Sequence, residues 1–314
     1  MEAIVRHVLT VSLDGAEVPG VAAWWARHAD RARGFAAPVE RAMAAAVAMD
    51  RLGWAFASGY QEALRRLVPD LPDGCKVALC ATEEGGNHPR AIETRLEPLP
   101  GGGLRLSGHK KLTTLGTHAD RLLVVASEGP AADGRNRLRV VSVPRDREGV
   151  SVEPMPHLPF VPEVPHAETR LAGVRVRPEE VLPGDGYADY LKPFRTIEDV
   201  HVHAALLAWL VGVGRRADWP ADALQGLMAP FAAAWALAAA PPLDEAVHVA
   251  LGGLLDATAR ALEALAPLWA RVDEPTRTRW ERDRVLLGVA SKARNKRLEA
   301  AWSRLHRAAH RPVC

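Results

Sequence analysis

Cys80-Ala-Thr-Glu-Glu-Gly-Gly-Asn-His-Pro89 and, a short way on, Leu106-Ser-Gly-His-Lys-Lys-Leu-Thr-Thr-Leu-Gly116 are the stretches on which the fold turns. The first leaves Lys76-Val-Ala-Leu-Cys-Ala-Thr82, an apolar run of buried-strand length, and breaks at a glycine pair. Between the two, Ala91-Ile-Glu-Thr-Arg-Leu-Glu97 alternates with period two. Pro100-Gly-Gly-Gly103 then turns the chain into Leu104-Arg-Leu-Ser-Gly-His109, which predicts a hairpin. Short β-like runs continue at Arg121–Ala126, Arg137–Val143, Val150–Val152 and Glu168–Val176, with an extended Pro-rich loop from Pro154 to Pro165. Six or seven such strands predict a small barrel or sandwich.

Both flanks read as helix. Residues 1–75 are Ala-rich, with Ala42 to Leu67 the clearest helical period before Pro69, Pro72 and Gly74 interrupt it. Beyond Pro183-Gly184 the spacing predicts helices at about 196–215, 221–239, 243–270 and 276–309, joined at Pro220, Pro241-Pro242 and Pro275. Short joins between four helices imply an antiparallel bundle. The expected fold class is α+β: a short N-terminal helical part (1–75), a β-barrel-like middle domain (76–183) and a C-terminal four-helix bundle (184–314). Trp24, Trp25, Trp209, Trp235, Trp269 and Trp302 fall in helical patterns and are expected in cores.

The chain's 314 residues are 48% hydrophobic, enough for a sizeable core. Charged residues make up 25% and nearly balance, at +2, so no long-range field favours nucleic acid or an anionic membrane. Cys75, Cys80 and Cys314 form no disulfide or metal framework and fit a reducing compartment. No leader is legible at the N-terminus, and no uninterrupted apolar run reaches the roughly 18 residues of a membrane span. The expectation is a soluble, cytoplasmic protein. Lys292 to Arg297 reads as a basic helix face. Lys192-Pro-Phe-Arg195 reads as a linker in preference to a phosphate contact, and Asp185-Gly186-Tyr187 as a turn.

The order helix, β domain, helical bundle is that of the acyl-CoA dehydrogenases, and the quoted motifs carry the resemblance. Thr82-Glu83 with the following glycines resembles the family's Thr-Glu-Pro-x-x-Gly-Ser-Asp, although Asn87-His88-Pro89 stands where Gly-Ser-Asp would. Leu106 to Gly116 is similar to Leu-Asn-Gly-x-Lys-x-Trp-Ile-Thr-Asn-Gly. Val143-Pro144 to Val152 and Leu171 to Leu182 resemble two further family segments, so the likeness spans roughly 110 residues in order. The family's Arg-x-x-Phe-Gly segment is not found in the bundle. The helical part before the β domain is short, and the chain ends near where the family places its Gly-Gly-x-Gly.

The resemblance implies α,β-dehydrogenation of an acyl-CoA-type thioester with FAD, in a homodimer or homotetramer. It puts Thr82 and Thr114 at the isoalloxazine and Leu112 where the family has an aromatic residue against the ring. A carboxylate base must take the α proton, and it works best when partly desolvated. Ile197-Glu-Asp-Val-His-Val-His-Ala-Ala205 aligns with the segment that carries this base in isovaleryl-type members, which assigns it to Glu198. The competing reading makes Glu198 a helix-start acid, with Thr196 and Asp199 in a capping pattern. Two function classes compete with catalysis by flavin. One is a degenerate family member without flavin that serves as an interaction subunit. The other is a metal site from Glu198-x-x-His201 and Glu245-x-x-His248 in the bundle.

Overall fold

The computed structural model describes residues 1–86 and 88–310, so Asn87 and Cys314 lie outside the described residues. The chain divides into two compact units. One is built from residues 1–66, 159–161 and 196–314, the other from residues 67–158 and 162–195.

The second unit is a curled seven-stranded sheet: β1 (Val77–Cys80), β2 (Arg95–Pro98), β3 (Leu104–Thr114), β4 (Arg121–Pro130), β5 (Asn136–Pro144), β6 (Val150–Pro154) and β7 (His166–Val176). Its order is β1-β4-β2-β3-β7-β6, with β5 paired to β4. The β2–β3 hairpin turns through Gly101, Gly102 and Gly103, all at positive φ, a region that costs glycine little. Residues 122–126 of β4 are all buried, so both faces of that strand are covered and its sequence runs apolar without alternation. Leu106, Leu122, Val124, Val141, Leu171 and Val174 form the heart of the core. Two segments differ from their sequence reading. Strand β3 runs on to Thr114, through register shifts at Leu106/Gly108 and Lys110/Thr113. The Ala91–Glu97 strand begins only at Arg95, because Pro89–Ala91 forms a 3-10 turn.

The helical unit begins with α1 (Glu2–Thr10), α2 (Val21–Ala32), α3 (Pro38–Ala46) and α4 (Leu52–Leu67). The helix expected over 42–67 is thus two helices. At the break, Asp50 accepts hydrogen bonds from the Val18 N–H and from Arg51, and Arg279 pairs with it. After the sheet come α5 (Lys192–Arg216), α6 (Ala221–Leu237), α7 (Glu245–Leu265), α8 (Glu274–Asp283) and α9 (Ser291–Ala309). The helix expected over 276–309 is likewise split. Asp283 turns inward to accept from the Val161 N–H, and a 3-10 segment ending at Gly288, a poor helix former, follows. Lys192–Arg195 is the first turn of α5 and no linker. Before it, Asp185 accepts from the Tyr187 and Ala188 N–H groups and caps a π-helical turn.

Helix α5 is the spine of the unit, and glycines let it sit close to its neighbours. A Cβ on Gly212 would lie 2.0 Å from the Val47 carbonyl oxygen, and one on Gly59 would lie 2.7 Å from the Val202 Cα. With the preceding turn, α5 is long and apolar enough to cross a membrane by length and composition, but 94% of that apolar window is buried inside the protein. Trp24, Trp209 and Trp269 are core residues, whereas Trp302 is 45% exposed.

Candidate active site

Thr82, Leu112 and Thr114 come together at one end of the sheet. The Lys111 N–H donates to the Thr82 carbonyl at 2.8 Å, which ties the end of β1 to the irregular part of β3. There Leu112 adopts φ +54° and is 47% exposed. A left-handed leucine with its side chain in the open is a strained arrangement, and such strain gathers at ligand clamps. Thr82 and Thr114 are half-buried. The Thr82 hydroxyl has no hydrogen-bond partner among the described residues, and Thr114 Oγ1 lies 3.3 Å from His166 Nε2. Two hydroxyls beside an open apolar side chain suit the edge and face of a flat heteroaromatic ring such as isoalloxazine.

A buried ion pair holds this end in place. Lys110 Nζ lies 2.6 Å from Glu83 Oε1, and both side chains are buried. Glu83 also accepts from the N–H groups of Glu93 and Thr94 and from the Thr94 hydroxyl. Burial pushes the Glu83 carboxyl up, but the Lys110 ammonium and these donors hold it below the ordinary carboxylate value. The Thr-Glu and Gly-x-Lys motifs contain both residues, yet their pairing was not visible in the spacing.

In the same unit, His88, Arg90, Arg135, Arg137, Asp185 and Tyr187 line a cavity of about 520 Å³. Arg90 makes no ion pair among the described residues, and Arg135 is paired with Asp133.

Glu198 belongs to the helical unit and lies inside α5, a turn and a half beyond its start, so it is no helix-start acid; Thr196 is equally interior and caps nothing. Glu198 keeps part of its surface exposed and has no hydrogen bond or ion pair among the described residues. Crowding by its neighbours and the adjacent Asp199 charge push its carboxyl up to about 7, against the pull of Arg294 and Arg297. Asp199 is its opposite. It is buried, accepts from Arg294 Nε at 2.8 Å and is also paired with Arg297. Two arginines of the predicted basic face therefore turn inward and fasten α9 to α5. Burial holds His201 and His203 down to about 4, so both are neutral, with their Nδ1 atoms on the carbonyls of Ile197 and Asp199. Glu245 pairs with Arg304, and among the described residues no three His, Cys, Asp or Glu side chains converge. The bundle metal site is thereby corrected: Glu245 is held by Arg304, His201 Nδ1 lies on the Ile197 carbonyl, and the two Glu-x-x-His pairs form no cluster among the described residues.

Residues 78–174 match the family model described as the acyl-CoA dehydrogenase middle domain. The structure of glutaryl-CoA dehydrogenase from Mycobacterium smegmatis aligns with a TM-score of 0.64 at 17% identity, covering 96% of this chain and 94% of that one. PigA with FAD and proline aligns at 0.65 and 13% identity, covering 97% and 96%. FMN-bound TdsC from Paenibacillus sp. A11-2 aligns at 0.58 and 17%, covering 97% and 92%. At these identities the structural likeness is one of fold. No curated protein matches the sequence.

Proposed function

We infer, for a chain that belongs to the acyl-CoA dehydrogenase family by its middle domain and its fold, a flavin-dependent α,β-dehydrogenation of an acyl thioester with Glu198 as the base. The observation that carries this reading is Glu198 itself: an unpaired, crowded carboxyl pushed up to about 7, at the position the isovaleryl-type segment gives to the base. Near neutral pH about half of it is ionised and able to take a proton. FAD, when bound, supplies the hydride acceptor. Glu198 takes the α proton as the β hydride departs, and the single Cα–Cβ bond becomes double. The hydroxyls of Thr82 and Thr114 would orient the ring edge, and Leu112 would take the place of the family's aromatic residue against the ring face. Arg90, Arg137 and Tyr187 suit the phosphates and base of the thioester's nucleotide carrier.

Glu198→Gln is the test. The amide keeps size and hydrogen-bonding capacity but cannot accept the proton. Turnover is expected to fall by at least about a thousandfold, with fold and flavin content intact. Full activity in Glu198→Gln would remove the base assignment. A purified protein that is colourless and does not take up added FAD would favour the interaction-subunit reading.

A further inference from the structure

We propose that His166 fixes the direction of the Thr114 hydroxyl and thereby biases a bound flavin toward its reduced form, an inference that rests on the flavin reading above. Thr114 and His166 face each other where β3 meets β7, with Oγ1 and Nε2 3.3 Å apart. Both backbones are held at this point. The Leu115 N–H donates to the Pro165 carbonyl at 2.8 Å, and the Met155 N–H donates to the His166 carbonyl at 2.8 Å. Gly116 allows the crossing to close, since a Cβ there would lie 3.0 Å from that of Ala167.

The imidazole's tautomer sets the direction of the bond. Burial lowers the His166 pKa against the opposing effect of the Val164 backbone, so the ring is neutral at physiological pH and carries a single N–H. Placed on Nδ1, that proton leaves Nε2 as the bare nitrogen facing the Thr114 hydroxyl. The Thr114 hydroxyl must then donate to His166. Its proton is committed, and toward a ligand it presents lone pairs alone.

A hydroxyl restricted to accepting can bind an N–H but not a bare ring nitrogen. Two-electron reduction of isoalloxazine converts a bare nitrogen into N–H. Thr114, oriented by His166, therefore stabilises the reduced ring relative to the oxidised one. Thr82 carries no such constraint, because its hydroxyl has no partner among the described residues and rotates to suit either state. His166 is thus a positioning residue, acting through Thr114.

Two measurements test this. In the flavin-free wild-type protein, 15N NMR of the imidazole should show the Nδ1-protonated tautomer; an Nε2–H tautomer overturns the inference. In FAD-loaded protein, His166→Phe should weaken the preference for the reduced form about tenfold, a fall of about 30 mV for a two-electron couple. Thr114→Val should produce a similar fall, and the double variant no further one. Unchanged potentials, or a His166→Phe effect that persists in the Thr114→Val background, would overturn it. If the wild-type protein binds no FAD, the flavin reading and its redox consequence both fail, and the NMR result still decides the hydroxyl's direction.

Discussion

Two adjacent acids of one helix have opposite fates: Asp199 receives two arginines and Glu198 none. The difference has a thermodynamic signature. Glu198's folded value is raised to about 7, above an unfolded value of 4.5. The folded chain therefore holds a proton that the unfolded chain releases. The stability this provides is full below about pH 4.5 and is lost as pH rises through 7. Glu198→Gln should accordingly be more stable than wild type at pH 8, on the order of 2 kcal/mol, and no different near pH 4. Denaturant melts at both pH values check this. A constant difference across pH would show that the carboxyl is not perturbed. Lys110 gives a second residue-scale expectation. Lys110→Met leaves the Glu83 carboxylate buried without its cation and should cost about 3 kcal/mol or more. Adding Glu83→Gln should restore part of that loss, which a double-mutant cycle would measure. The sequence offered Thr82, Leu112, Thr114 and Glu198 as candidate site positions through short motifs. It could not identify Glu83–Lys110, Thr114–His166 or Asp199 with its arginines, because each joins segments far apart in the chain and depends on burial.

Among elements, the β strands were the most legible, since turns and apolar alternation are local. The hairpin through Gly101–Gly103 lies where the spacing put it. Helix breaks were not legible, because their causes are tertiary. The bend between α3 and α4 is fixed by Asp50's three partners, and the one between α8 and α9 by Asp283 reaching Val161. Neither contact leaves a local signature. The glycines are similar. Gly212 and Gly253 both stand inside helices, and their helical settings do not distinguish them. In the structure, a methyl at Gly212 would meet the Val47 backbone, whereas a methyl at Gly253 would meet nothing within 4 Å. Gly212→Ala should therefore destabilise by about 3 kcal/mol or more, through overpacking against backbone that cannot move aside. Gly253→Ala should stabilise by about 0.5–1 kcal/mol, because alanine is the better helix former. Thermal melts of the two variants should shift in opposite directions. Equal shifts would mean that α5 does not sit this close to the α3–α4 bend.

For the whole molecule, assembly and cofactor are the open expectations. The family resemblance implies two or four copies. The bundle glycines face neighbours within this chain: Gly212 meets Val47, Gly214 meets Trp219 and Gly252 meets Leu298. A second copy would have to cover other apolar surface, of which Val285 and Val289, at 54% and 62% exposed, have the highest fractional exposure among the large hydrophobic residues of the helical unit. Sedimentation at micromolar concentration is expected to show a dimer or larger, and Val285→Asp with Val289→Asp to weaken it. A wild-type monomer would remove the assembly. The cofactor expectation follows from mass action. A ligand that binds only the folded chain stabilises it by about 2.7 kcal/mol at a hundred times its Kd. For a chain of this size each kcal/mol moves the midpoint by roughly 2–4 °C, so saturating FAD should raise it by about 5–10 °C. FMN separates two modes of binding, because it shares the ring and ribityl chain but lacks the adenylate half. The bundle has no Arg-x-x-Phe-Gly segment to grip the cofactor phosphates, so under the proposed reading most of the contact would fall to the sheet end at Thr82, Leu112 and Thr114. FMN is then expected to give most of the shift that FAD gives. A rise with FAD alone would mean that another part of the chain holds the adenylate, and no rise with either would leave the interaction-subunit reading in place of the enzyme.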